Sequence, residues 1–356
     1  MKLFIPGPIW CREEVLREFC HQPMAHRGKQ FTELYSGMLQ KLKKILGTEG
    51  DVHFSTSSGS GVWELAIRNC VRKRALVCAC GEFSSKWGDV CEMNGRETVR
   101  ISVPLGKAIR GPMIADALKK NPDVDAILYC HNETSTGVTN PIEEAAEVMR
   151  DHPDVMFLVD AVSGMAGIPI DVDKLGVDLC LASVQKAFGL PPGAAVFTAS
   201  ERAYARAAEI PHRGYYFDLL AIKKSADKGQ TLVTPSEPHI YALNFQLDAM
   251  LAEGMENRFA RHQQMADVVR AWGRKNFALF AEPGFESNTV TCVANTRNAD
   301  VGALNKELQK RHDCIISDGY GELKGKTFRI AHMGDMQISD MHELLRWIDE
   351  IVGIPS

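Results

Sequence analysis

From about residue 60 the apolar positions of the chain switch back and forth between two periods. Residues 62–70 carry apolar side chains at helical spacing, whereas 75–80 is a short continuous apolar run bounded by charge and glycine, as expected of a strand covered on both faces. The alternation continues with a helix over 112–120, a strand over 126–130, a helix over 142–150 and a strand over 156–159 that runs into a carboxylate. Two more runs, 179–182 and 194–198, read as strands separated by the irregular segment Gly189-Leu190-Pro191-Pro192-Gly193. Short apolar strands interleaved with helices predict βα units around a largely parallel sheet, an α/β fold.

The second half has a different rhythm. Residues 239–271 form a long helical stretch, broken near Gly254, followed by strands over 289–294 and 327–331 and helices over 301–311 and 339–352. That order predicts a smaller α+β C-terminal domain, 246–356, closing over a large domain, 21–245. Residues 1–20 are expected to join the small domain or the rim of the active site.

Composition narrows the class. The 356 residues are 45% hydrophobic and 24% charged, which suits an ordinary globular protein long enough for two domains. A net charge of -4 leaves no electrostatic footprint for nucleic acid. The apolar N-terminal run Leu3-Phe4-Ile5 is cut short by Pro6, too soon for a leader or a membrane span, so no membrane association and a cytoplasmic location are expected. None of the 10 cysteines forms a Cys-x-x-Cys pair and the 11 histidines are scattered, which disfavours a metal site. Cys314 stands in a more polar stretch and is the one thiol expected to be exposed in a loop.

In open α/β sheets ligands gather at the carboxyl ends of the strands, and several reactive groups are expected there. Ser57-Ser58-Gly59-Ser60-Gly61 leads straight into a helix, so small residues and first-turn N–H groups could cradle an anion, although such a run is also an ordinary loop and cap. Asp160 ends an apolar strand; alone, it could simply cap a helix. Lys186 follows the strand at 179–182 among small and apolar neighbours, where a merely solvated lysine is the competing reading. Phe83, just past the strand at 75–80, is either core or a platform for an aromatic ring. Arg329 lies within a run that otherwise reads as buried strand, where it needs either an internal carboxylate or the carboxylate of a ligand. An amine, a carboxylate to protonate a ring nitrogen and a phosphate cradle are together what pyridoxal 5'-phosphate requires.

The ordered set of motifs is more specific than any one of them. It comprises Pro6-Gly7-Pro8, His26-Arg27, Leu46-Gly47-Thr48, Ser58-Gly59-Ser60-Gly61, His131-Asn132-Glu133-Thr134-Ser135-Thr136-Gly137-Val138, Val159-Asp160-Ala161-Val162-Ser163, Gln185-Lys186-Ala187 with Pro191-Pro192-Gly193, and Arg329-Ile330-Ala331-His332-Met333-Gly334. Over nearly the whole chain this resembles the class V aminotransferases of fold type I, and within them the alanine/serine–glyoxylate enzymes. The resemblance implies a mainly parallel seven-stranded sheet and transamination between alanine or serine and glyoxylate or pyruvate. It further implies Lys186 as the Schiff-base lysine and Asp160 as partner of the ring nitrogen. Phe83 would be the stacking residue, Ser60 and Gly61 phosphate ligands, and Gln185 a neighbour of phosphate or ring. Ser135 would lie near the 3'-oxygen, and Arg329 would take the substrate carboxylate. A homodimer with composite active sites is implied as well.

Some positions depart from the family pattern. Val62 stands where relatives often have His or Thr, and Phe83 where others carry Trp. In the segment 231–238 a partner subunit's phosphate is expected to meet Thr234 or Ser236, with Glu237 as a repelling neighbour. The main rival is phosphoserine transamination, for which Arg27, with His26 and Arg213, would supply a second anion pocket. A cysteine desulfurase would need Cys314 as a mobile nucleophile, and a non-catalytic α/β scaffold is the remaining alternative.

Overall fold

The computed structural model describes residues 1–355. A seven-stranded sheet forms the middle of the large part of the molecule, its strands in spatial order Asp51–Ser55, Ala195–Ala199, Leu179–Ser183, Met156–Asp160, Ala126–Cys130, Arg74–Ala79 and Glu97–Ser102. Only Ala195–Ala199 runs against its neighbours. The five inner strands Arg74–Ala79, Ala126–Cys130, Met156–Asp160, Leu179–Ser183 and Ala195–Ala199 are largely apolar on both faces and buried almost throughout, because helices cover the sheet on each side. The expected architecture is therefore the observed one.

Several elements carry no clear apolar run and escape a reading by periodicity. Glu97–Ser102 is a solvent-facing edge strand, Glu-Thr-Val-Arg-Ile-Ser, with no fully buried residue. The 18-residue helix Lys29–Leu46 buries Phe31, Tyr35, Met38, Leu42 and Ile45 along one stripe, and ends where Gly47 takes a left-handed φ of 61°. The long helical stretch is two helices, Glu237–Glu253 and Met255–Asn276, parted at Gly254 with φ 80°. Gly254 supplies the conformation that L side chains avoid.

A second sheet has the order Lys2–Phe4, Cys314–Asp318, Thr327–Ala331, Val290–Ala294 and Ala278–Leu279. The first strand of the chain thus pairs with a strand more than 300 residues away, Lys2 opposite Cys314. This pairing corrects the expectation for Cys314: it lies in a strand, fully buried, and burial pushes its thiol up to about 11. The polar flanks belong to the helix and turn around it, and they conceal the strand in the sequence.

The N-terminal segment crosses from the small sheet to the large part. Ile9 N–H donates to the Gln185 carbonyl at 3.2 Å, and Arg12 Nε donates to Asp335 at 2.7 Å. Asp335 also accepts from Gln246 at 2.9 Å and from the buried Arg258 at 3.2 Å. Arg258 in turn donates to the carbonyls of Ala166 and Ala187, the latter at 2.6 Å. One buried ionic cluster therefore joins the N-terminal segment, both long helices, the turn after Ala331 and the loop that carries Lys186.

Phe157 sits in the middle of the large sheet, 1% exposed and edge-on to Tyr129 with ring centroids 5.9 Å apart. Replacing Phe157 with Ala should cost about 3–5 kcal/mol of stability, read from the midpoint of a denaturant titration.

Candidate active site

Four strands deliver functional groups to one edge of the large sheet. Asp160 is the last residue of Met156–Asp160, in register with Cys130 on one side and Leu181 on the other. Lys186 lies three residues beyond Leu179–Ser183, Phe83 follows Arg74–Ala79, and Asn132 follows Ala126–Cys130. Because these strands are parallel, their carboxyl ends open on the same side. The helix Gly59–Cys70 starts at that edge, its first N–H held by Ser183 Oγ at 2.6 Å.

These groups line a cavity of about 130 Å³ that includes Ser58, Gly59, Ser60, Phe83, Asp160, Gln185 and Lys186. Of the Ser/Gly segment, Ser58, Gly59 and Ser60 line the cavity; Gly61 does not, and its N–H donates to the Ser58 carbonyl at 3.0 Å. A Cβ at Gly59 would lie 2.8 Å from Val162 and 2.9 Å from Ser183 Oγ, so this position accepts no side chain. The lining thus includes a helix N-terminus, where the dipole favours an anion.

Asp160 is buried and receives two donors, Val162 N–H at 2.7 Å and the Trp63 indole N–H at 2.8 Å. Burial pushes its carboxyl up to about 6 against the pull of these donors. Trp63 is a site residue that the sequence reading missed, although it stands one turn into the helix that begins at the Ser/Gly cradle. Burial, and next the Arg329 charge, bring the Lys186 amine down to about 8, while Asp160 raises it slightly. Lys186 Nζ donates to the Pro6 carbonyl. Gly7 lies over the same side chain with φ 138°, and a Cβ there would fall 2.5 Å from Nζ. The Pro6-Gly7-Pro8 motif is thus the roof over the lysine.

Arg329 is buried in the strand Thr327–Ala331. It donates to the Asp318 carbonyl at 3.0 and 3.2 Å, to Ser317 Oγ at 3.0 Å and to the Thr134 carbonyl at 3.4 Å, with the Tyr320 ring 5.5 Å away. Among the described residues no carboxylate forms an ion pair with it, so the internal salt bridge considered above is not made.

Other candidates lie elsewhere. Ser135 is outside the cavity wall, donating to Glu133 at 2.7 Å. Arg27 donates to the Thr231 and Leu232 carbonyls, and Arg213 to those of Ala207 and Ile210 and to Asp218. Thr234 is exposed, away from this chain's cavity. Glu237, expected to repel a phosphate, instead turns inward and accepts from Met24 N–H at 2.7 Å. Sequence reasoning also missed Asn132 and Ser163, wall residues that bond each other at 2.8 Å.

The cavity fits pyridoxal phosphate by its donor set: an amine, a buried carboxylate, small residues at a helix N-terminus and an aromatic side chain. Gln185 Oε1, buried in the wall, has no hydrogen-bond partner and so has bonding capacity left for a ligand.

Two outcomes test this geometry. Capture of the cofactor aldehyde needs the neutral amine, so its rate in cofactor-free protein should rise about tenfold per pH unit up to about 8 and then level. An ordinary lysine would carry that rise on to about 10.4. Arg329→Gln removes a neighbouring positive charge and should move the inflection upward, as read by stopped-flow absorbance across pH. Gly7→Ala should lower turnover on the order of 100-fold by displacing the amine, with an unchanged far-ultraviolet circular dichroism spectrum as the check on folding.

The chain matches the family described as Aminotransferase class-V over residues 16–319. It is 36% identical over 337 residues to an uncharacterised aminotransferase of Methanocaldococcus jannaschii, covering 93% of this chain and 87% of that one. It is 32% identical to a serine–glyoxylate aminotransferase of Methylorubrum extorquens, covering 94% and 86%. Its structure superimposes on an alanine–glyoxylate aminotransferase from Nostoc sp. with a TM-score of 0.92, at 26% identity over 98% of this chain and 94% of that one. A chain with this sheet, this cavity and these relatives belongs to the class V aminotransferases, enzymes of fold type I that depend on pyridoxal 5'-phosphate.

Proposed function

We propose that the enzyme moves an amino group from a small amino acid, alanine or serine, to a small 2-oxo acid, glyoxylate or pyruvate. The carrying observation is the buried Arg329, which has no carboxylate partner and stands just behind the cavity wall, where it donates to the carbonyl of the wall residue Thr134 at 3.4 Å. The names of the Methylorubrum and Nostoc relatives support the same substrate class.

When bound, the cofactor supplies an aldehyde that condenses with amines and a protonated ring that takes up the electrons of a broken C–H bond. Lys186 would hold the cofactor through its amine, and the same side chain, neutral above about pH 8, would serve as the base that takes a proton from the substrate's α-carbon and gives it back. The Pro6 carbonyl keeps that amine over the cavity between these tasks. Asp160, oriented by Trp63 and Val162, would keep the ring nitrogen protonated, and Phe83 would pack against the ring. Ser58, Gly59 and Ser60 would hold the phosphate, Gln185 would offer its unpartnered Oε1, and Arg329 would offer N–H groups to the substrate carboxylate in place of Ser317 Oγ.

We further assign a homodimer, with the exposed Thr234 reaching the partner's phosphate, and a cytoplasmic location; among the described residues no helix is long and apolar enough to cross a membrane. Ser135 acts from behind the wall rather than on the 3'-oxygen. Arg27 and Arg213 already have carbonyl and carboxylate partners, which favours an unphosphorylated donor over phosphoserine. The burial of Cys314 argues in the same way against desulfuration.

Lys186→Ala should abolish both the visible band of the bound cofactor and turnover. A panel pairing alanine or serine with glyoxylate or pyruvate should outpace 3-phosphoserine with 2-oxoglutarate; the reverse ranking would overturn the substrate assignment.

A further inference from the structure

Directly behind the active-site wall lies an ionisable group that the chemistry above does not use. Glu133 is completely buried, and among the described residues no cation pairs with it. Its carboxylate is met only by donors. Oε2 accepts from Ser84 N–H and from Ser84 Oγ, both at 2.9 Å; Oε1 accepts from Ser135 Oγ at 2.7 Å, Ser135 N–H at 3.1 Å and, more weakly, Phe83 N–H at 3.4 Å.

Both hydroxyls accept from backbone donors: Ser84 Oγ from the N–H groups of Cys80 and Gly81, and Ser135 Oγ from Glu82 N–H. That leaves the Ser135 proton for Glu133 at 2.7 Å, while the Ser84 proton has Glu133 at 2.9 Å and the Gly81 carbonyl at 3.1 Å within reach, and the charged acceptor is the stronger of the two. The donors Phe83 and Ser84 belong to the first turn of the helix Glu82–Met93, whose dipole stabilises a negative charge at that place. The packing is tight as well. A Cβ on Gly81 would lie 2.5 Å from Glu133 Cγ and 2.5 Å from Ser135 Oγ, so this corner accepts no side chain at 81.

Two working parts of the site meet at this carboxylate. On one side is the helix turn that carries Phe83. On the other is the turn 133–135, whose Thr134 carbonyl accepts from Arg329 and whose Thr134 side lines the cavity. Phe83 comes from the large sheet and Arg329 from the small one, and Glu133 is the group that ties the two sides of the cavity through a single set of bonds. We propose that Glu133 is a positioning residue: it fixes the height of the Phe83 ring and, through Thr134, the setting of Arg329, so that cofactor plane and substrate carboxylate keep one register. The inference rests on the aminotransferase reading given above.

A glutamine of the same shape turns its NH2 group toward the Ser84 N–H in one orientation, or toward those of Ser135 and Phe83 in the other, and leaves at least one backbone donor unsatisfied either way. Glu133→Gln should therefore raise the dissociation constant for pyridoxal phosphate about 10-fold and KM for the best amino donor by a similar factor, with a smaller effect on kcat. The visible circular dichroism of the bound cofactor should weaken as the ring loses its fixed tilt. In cofactor-free protein, amide hydrogen exchange should speed up in the peptide covering residues 81–86 and remain unchanged in the strand Met156–Asp160. If Glu133 works through Phe83, the losses of Glu133→Gln and Phe83→Leu should be less than additive in the double variant.

Wild-type values for cofactor affinity and KM in Glu133→Gln, or strictly additive losses with Phe83→Leu, would overturn the role. Should Glu133→Gln fail to fold, Ser84→Ala removes one hydroxyl donor and one half of the clamp. It should shift the same two constants in the same direction by about threefold, and no shift there would equally overturn the role. A wild-type chain that transfers no amino group in the panel above sinks the functional reading, whereas an active wild type beside an unaffected Glu133→Gln sinks only this one.

Discussion

An amine and a carboxylate have been buried in one narrow cavity without being allowed to neutralise each other. Had Lys186 and Asp160 closed into an ion pair, the lysine would be held protonated and the acid would have no capacity left for a ring nitrogen. Each is instead bonded elsewhere, Lys186 to the Pro6 carbonyl and Asp160 to Trp63 and Val162. Both line the same cavity, and among the described residues no ion pair joins them. Burial then works in opposite senses on the two groups, lowering the amine and raising the acid toward neutral pH, where both are useful.

Keeping the two groups apart is a task for the whole molecule. The sheet fixes Asp160 by register with its neighbours, while Lys186 sits on a loop that Arg258 grips through the Ala187 carbonyl. Arg258 belongs to the same buried ionic cluster as Asp335 and Arg12, so the loop, the small sheet and the N-terminal roof are tied at one point. Breaking one member of such a cluster would leave uncompensated charge inside the protein, which makes the arrangement stiff.

The small sheet contributes a buried charge. Arg329 stands in the middle of a buried strand, its ring neighbour Tyr320 on one face and carbonyl oxygens around its edge. Carbonyls and a hydroxyl satisfy its N–H groups without cancelling its charge, which is why the proposed role for it is to receive an anionic group.

Much of this was legible in the linear chain. The inner strands announce themselves because both their faces are buried and every residue must be apolar, and the reactive groups Asp160, Lys186 and Phe83 follow such runs directly. The edge strand Glu97–Ser102 and the strand Asp51–Ser55 were not legible, since one side of each faces water or polar neighbours and the apolar signal is diluted. The exposed reading of Cys314 failed because the strand covering it, Lys2–Phe4, is at the opposite end of the chain. Local sequence thus determined which residues could serve a pyridoxal phosphate site and the order in which they come. Only the tertiary structure decided that Gly59 lines the cavity and Gly61 does not, that Pro6 roofs the lysine, that Trp63 bonds Asp160 and that Ser135 faces Glu133 instead of the cavity. Those choices depend on contacts between residues far apart in sequence, and a periodic pattern carries no information about which distant partner will complete a bond.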